Sequence, residues 1–143
     1  MDDQIAKIVG RLKQIDGVKA IAVGGSYATR TQRPDSDIDL GIYYSNKSPL
    51  NIEKVKSLAL ELNDKPEFVV TDIGDWGDWV NGGAWLTVEG QRVDFLYRNL
   101  DFVETIINKC MNGKIRKDYY QQPPYGFYSY IYLAETTFCK PVA

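Results

Sequence analysis

The sequence predicts an α/β (α+β) domain in which a mixed β-sheet is flanked by helices. Three observations carry that reading. The chain has 143 residues, the length of one domain. Apolar residues at helical spacing alternate along it with short β-rich runs. Two of those runs meet at Glu89-Gly90, a tight turn that puts an antiparallel hairpin into the sheet.

Ile5, Ile8, Val9, Leu12 and Ile15 form one apolar face, which predicts a first helix that Asp16-Gly17 stops. Val18 to Val23 is too short for a helix and reads as a buried strand ending at Gly24-Gly25. A polar stretch with Pro34 inside it runs from Ser26 to Ser36, with Ser26 opening a short helix. Asp37 to Tyr44 alternates and reads as a second strand. Ser48-Pro49 opens a helix whose buried stripe is Ile52, Val55, Leu58, Ala59 and Leu62. Phe68 to Thr71 is read as a short strand, and Asp72 to Gly83 as a loop carrying Trp76 and Trp79. The hairpin strands are Ala84 to Val88 and Gln91 to Tyr97. Asp101 caps a helix bearing Phe102, Val103, Ile106, Ile107 and Cys110, which ends near Asn112-Gly113.

Composition narrows the chemistry. There is no histidine, which excludes His-ligated metals, Ser-His-Asp and Cys-His machinery, and an imidazole base. A net charge of −2 gives no global grip on nucleic acid. Cys110 and Cys139 are too few for a disulfide framework and read as buried free thiols. The start, Met1-Asp2-Asp3-Gln4, has no signal-peptide character, and no apolar run approaches the ~20 residues that span a bilayer. The expected location is the cytoplasm.

Chemistry concentrates in Gly24-Gly25-Ser26 and Asp37-Ile38-Asp39. Residues two apart on a strand share a face, so Asp37 and Asp39 present paired carboxylates opposite core-facing Ile38, Leu40 and Ile42. Such a pair repels and raises its own pKa values unless a cation lies between, and oxygen ligands without histidine suit Mg²⁺ or Mn²⁺. The glycines let backbone approach a phosphate, and Arg30 and Arg33 follow closely enough to neutralise one. Asp94 is a third carboxylate, set mid-strand among apolar neighbours where a lone charge is costly. If its strand lies beside Asp37–Tyr44, three carboxylates converge on two metals. An Asp-x-Asp alone occurs by chance in roughly one chain of this size in three, so the weight lies in the combination.

These residues resemble the DNA polymerase beta–like nucleotidyltransferase superfamily, in particular small bacterial nucleotidyltransferase-domain proteins. The match runs through Gly24-Gly25-Ser26-Tyr27-Ala28, Arg33-Pro34-Asp35-Ser36-Asp37-Ile38-Asp39-Leu40 and Asp94, with Trp76 to Arg98, including Gly82 to Leu86 and Val93 to Phe95, also similar. It covers about residues 5–112. The resemblance implies transfer of a nucleoside monophosphate from an NTP such as ATP to an acceptor hydroxyl, with release of pyrophosphate. Asp37, Asp39 and Asp94 would then be catalytic and hold two Mg²⁺ ions, with Mn²⁺ as a substitute. Gly24, Gly25 and Ser26 would bind the nucleotide's phosphates. Many relatives read Gly-Ser-x-Ala-Arg-Gly, whereas Thr29 and Arg30 fill the last two positions here. Arg30 therefore comes about 100° further round a helix, which leaves the phosphate contact open between Arg30 and Arg33.

On this reading residues 1–113 are the catalytic domain and 114–143 an aromatic-rich extension. Tyr119 to Ala143 holds eight aromatic residues and two charges, with helix-compatible faces of Tyr128, Tyr132 and Glu135 or of Phe127, Ile131 and Phe138 after a Pro123-Pro124 loop. This segment packs either on the domain or on a homodimer mate, a helical partner or a second domain. The acceptor is undefined: a small molecule such as an antibiotic, a protein or a nucleic acid. The acidic loop of Asp72, Asp75 and Asp78 is either a solvated loop or an attractor of a polycationic acceptor. The alternative function is a nucleotide-binding or antitoxin-like protein-interaction module of the same fold.

Overall fold

The computed structural model describes residues 3–119 and 126–143, with five helices and a mixed sheet among them. The first helix, α1 (Asp3–Leu12), buries Ile5, Ile8, Val9 and Leu12. It ends a turn earlier than expected; Ile15 is buried from the turn that follows. Strand β1 (Ala20–Val23) leads through Gly24 into the short helix α2 (Gly25–Thr29), which starts one residue before Ser26. Strand β2 (Ile38–Tyr44) begins one residue after Asp37, so that carboxylate stands at the strand's mouth.

Helix α3 (Ile52–Leu62) is capped by Asn51, whose side chain accepts from Lys54 N–H at 3.1 Å; Ser48-Pro49 precedes the helix. Strand β3 shrinks to Val69–Val70. Strand β4 (Gly82–Val88) takes in the two glycines expected in the loop, and β5 (Gln91–Asn99) completes the hairpin. Helix α4 (Leu100–Met111) is capped by Asn99, which accepts from Phe102 N–H at 3.1 Å; Asp101 lies in its first turn and accepts from Asn46 N–H.

Beyond α4 come β6 (Lys117–Asp118), β7 (Phe127–Tyr128), α5 (Ile131–Phe138) and β8 (Lys140–Pro141). The expected Pro123-Pro124 loop, like Met1 and Asp2, lies outside the described residues. Among the described residues no helix is long and apolar enough to cross a membrane.

The main sheet runs β3-β4-β5-β2-β1-β8, and β6 pairs with β7 separately. Only β2 and β5 run parallel; the other neighbours are antiparallel. One face of the sheet is the main core. Ile38, Leu40 and Ile42 of β2 and Val93, Phe95 and Tyr97 of β5 pack there with the apolar stripes of α1 and α3. The opposite face is only partly covered. A second cluster of Trp79, Val103, Ile106, Cys110, Phe127 and Tyr132 seats α4 and α5 at one end of it, and leaves the other end open. Cys110 is buried as expected, whereas Cys139 is half-buried because it follows α5 at the rim of this cover.

Candidate active site

The open face is organised in a row. Asp39 of β2 and Asp94 of β5 are register partners on parallel neighbours, and Trp85 of β4 is the partner of Asp94 on the far side. On the near side Gly24 N–H donates to the Asp39 carbonyl at 2.9 Å. Adjacent strands lie about 4.8 Å apart. The row therefore reads Gly24, Asp39, Asp94, Trp85, with the glycine turn at one end and an indole at the other. The alternation Asp39, Gly41, Tyr43 continues the same face along β2, and Asp94, Leu96, Arg98 does so along β5.

Asp37 sits one step out from the row, beside Arg92, whose Nε lies 2.5 Å from its Oδ1. That oxygen is buried against the guanidinium. The Asp37 carboxylate thus already draws one positive charge. Among the described residues no three Asp, Glu or Cys side chains converge as a ready set of metal ligands. Asp37 is turned onto Arg92. The donors themselves suit a hard cation: two carboxylates in register, with a third next to them.

Burial, and then the Asp37 charge, push the Asp39 carboxyl above its ordinary range. Asp94 rises from the ordinary 3.8 to about 6, first through burial and then through Asp39 and Asp37, with Arg92 partly opposing. The folded protein therefore holds the Asp94 proton up to a higher pH than the unfolded chain. It binds more protons between about pH 4 and 6, so this group favours folding at low pH and that contribution is lost as pH rises through 6. In chelator at pH 7, Asp94→Asn should stabilise the protein by roughly 1–2 kcal/mol, the shift discounted for solvent screening. Thermal unfolding checks this; the gain should shrink as the pH falls and vanish below about pH 3, where the wild-type carboxyl is neutral in both states.

Gly25 meets Asp39 at close quarters. Its φ is +55°, a left-handed conformation that side chains resist. A Cβ there would lie 2.1 Å from Asp39 Oδ2. Glycine is thus needed for the turn and also to leave the carboxylate its place. The first N–H groups of α2, from Gly25 and Ser26, have no intrahelical acceptor and are available to an anion.

A cleft of about 480 Å³ opens beside this turn, within the range that holds a small-molecule ligand. Gly24, Gly25 and Asp39 form its head, Gly41, Tyr43 and Leu96 its floor, and Thr29 a side. Ala134, Glu135 and Phe138 of α5 make the facing wall. Arg98, beneath it, donates from Nη2 to Glu135 Oε1 and Oε2 at 2.8 and 2.9 Å, and from Nη1 to the Trp79 carbonyl at 3.0 Å.

Of the residues singled out by sequence, Gly24, Gly25, Ser26, Asp39 and Asp94 come together, with Asp37 adjoining. Arg30 caps α2 in a left-handed conformation (φ 60°) and lines a second hollow with Ile5, Tyr27 and Gln32, with Cys139 common to that hollow and the cleft. Arg33 is exposed in a turn closed by its N–H donating to Ser36 Oγ at 2.9 Å. The sequence reading does not name Tyr43 and Arg98, and it does not assign the C-terminal helix it expects to the site. Continuing the period of two from Asp39 and Asp94 would have found Tyr43 and Arg98; nothing local marks Glu135 as a cleft residue.

No curated protein matches the chain. A family model described as a nucleotidyltransferase domain matches residues 5–121, which takes in α1 through β6, the glycine turn and all three aspartates. The chain belongs to the nucleotidyltransferase domain family, whose general chemistry is transfer of a nucleoside monophosphate.

Proposed function

We propose that this protein transfers a nucleoside monophosphate from an NTP to an acceptor hydroxyl. The observation that carries the reading is the row itself: an anion-accepting glycine turn, then two carboxylates in register, with a third beside them.

The backbone N–H groups of Gly25 and Ser26 bind the β- and γ-phosphates, and the nucleoside extends into the cleft between β2 and α5. A divalent cation, Mg²⁺ or Mn²⁺, held by Asp37, Asp39 and Asp94 would supply neutralisation of the triphosphate charge. Asp94 takes the proton of the acceptor hydroxyl, a role a positioned carboxylate can fill. The acceptor oxygen bonds to the α-phosphorus as the bond from that phosphorus to the bridging oxygen breaks, and pyrophosphate leaves with that electron pair. Positioning and charge stabilisation carry such a transfer, so the lack of histidine is no obstacle. Phe138 and Ala134 shield the nucleoside side of the cleft from water.

A thermal-shift screen of the four NTPs with Mg²⁺ tests the reading. At least one Mg-NTP should raise the unfolding temperature, and Asp37→Ala should remove the shift. A wild-type protein unmoved by every Mg-NTP at millimolar concentration would overturn it.

A further inference from the structure

The row has an end that nucleotide binding leaves unused. Trp85 is directly across the ladder from Asp94, on the side away from the glycine turn, and is 49% exposed. Register partners on one face hold their Cβ atoms about 5 Å apart, so the indole borders the Asp94 carboxylate. It lies on a second indole, Trp76, with ring centroids 4.8 Å apart and planes 30° from parallel. The support is built into the strand. A Cβ at Gly83 would meet the Phe95 carbonyl at 2.0 Å and the Trp76 ring at 2.9 Å, so the glycine leaves that ring its place beside β4. Val69 of β3, the partner of Trp85 on its other side, is also exposed and extends the apolar strip outward.

We propose that Trp85, braced by Trp76, is the platform for the acceptor, and that the acceptor carries its hydroxyl on the rim of a flat-faced ring. The inference rests on the transfer reading above. In an in-line displacement the attacking and leaving oxygens lie on opposite sides of the phosphorus. With pyrophosphate at the Gly24–Ser26 end, the acceptor enters from the Trp85 end and brings its hydroxyl to Asp94. An exposed indole face holds a ring by stacking, with sugar C–H faces and aromatic rings as the two sources of that chemistry. An open-chain alcohol offers no such face.

Indole N–H signals of the full chain, followed by NMR, test the proposal without nucleotide. The probes are methyl glucoside and N-acetyltyrosinamide, the two ring sources, against sorbitol as an open-chain polyol. Of the three tryptophans, Trp85 and Trp76 should shift saturably with at least one ring probe, while buried Trp79 stays still. Sorbitol should leave all three unmoved. Trp85→Ala should weaken the response about tenfold or more, and Trp85→Phe should retain most of it. No saturable shift with either ring probe, an equal response to sorbitol, or an undiminished Trp76 response in Trp85→Ala would each overturn the platform. A flat Mg-NTP thermal shift in the wild type would instead overturn the underlying reading, so the two failures are distinguishable.

Discussion

Asp39→Asn is expected to lower nucleotidyl transfer by on the order of 10³-fold while leaving the metal-free protein at least as stable as the wild type. Asp39 is the centre of the row. It sits between the glycine turn and Asp94, its carbonyl accepts from Gly24 N–H on one side and its strand is paired with β5 on the other, and its Oδ2 faces Gly25. Asparagine keeps the shape and removes the charge, so a loss of turnover reports electrostatics and not packing. Folding should not suffer, because the carboxylate is held above its ordinary pKa by burial and by Asp37, which makes the ionised form unfavourable in the fold. Turnover together with thermal unfolding in chelator checks both halves. Retained activity would remove Asp39 from the chemistry; a large drop in stability would make it structural.

The second large effect concerns the wall of the cleft. Glu135→Ala should destabilise the protein by about 3–5 kcal/mol, because it leaves the Arg98 guanidinium, 5% exposed, without its charge partner. The reverse change, Arg98→Met, should cost less. The carboxylate it leaves behind is 35% exposed at the side chain and can be hydrated. The pair therefore predicts an asymmetry, and urea unfolding of both single variants and the double variant Arg98→Met/Glu135→Leu reads it. The double variant should be more stable than Glu135→Ala, since no buried charge is left unpaired. Because the pair ties α5 to the floor of the cleft, nucleotide affinity should fall with Glu135→Ala. Equal costs for the two single changes would show that the guanidinium finds water on its own.

Much of this arrangement is written locally. The pair Asp37 and Asp39 declares its common face by spacing, Glu89-Gly90 declares the hairpin, and Asp94 stands out as a charge inside an apolar strand. What needs the tertiary fold is what distant segments do to one another. The parallel pairing of β2 with β5 joins residues more than 50 positions apart, and it alone puts Asp94 beside Asp39. Strand β8 is two residues long and contains Pro141, so no local pattern announces it; its partner β1 selects it. Capping shows the same competition at short range. Asn99 and Asp101 are both good cap residues, and the end of β5 at Asn99 decides between them. Arg30 is the left-handed cap of the short helix α2, so its direction is set by that turn and not by helical spacing. The α5 wall illustrates the same limit: Tyr132 Oη donates to the Trp79 carbonyl at 2.5 Å, across 53 positions of sequence.

The most direct test of the central claim follows the fate of phosphate. The protein is incubated with Mg²⁺ and the NTP that shifts its unfolding temperature, labelled in one sample at the α-phosphate and in another at the γ-phosphate. The account predicts that the α label passes to the acceptor, or to water as NMP when none is supplied, while the γ label appears in pyrophosphate. Release of the γ label as orthophosphate, with NDP as the other product, would contradict it.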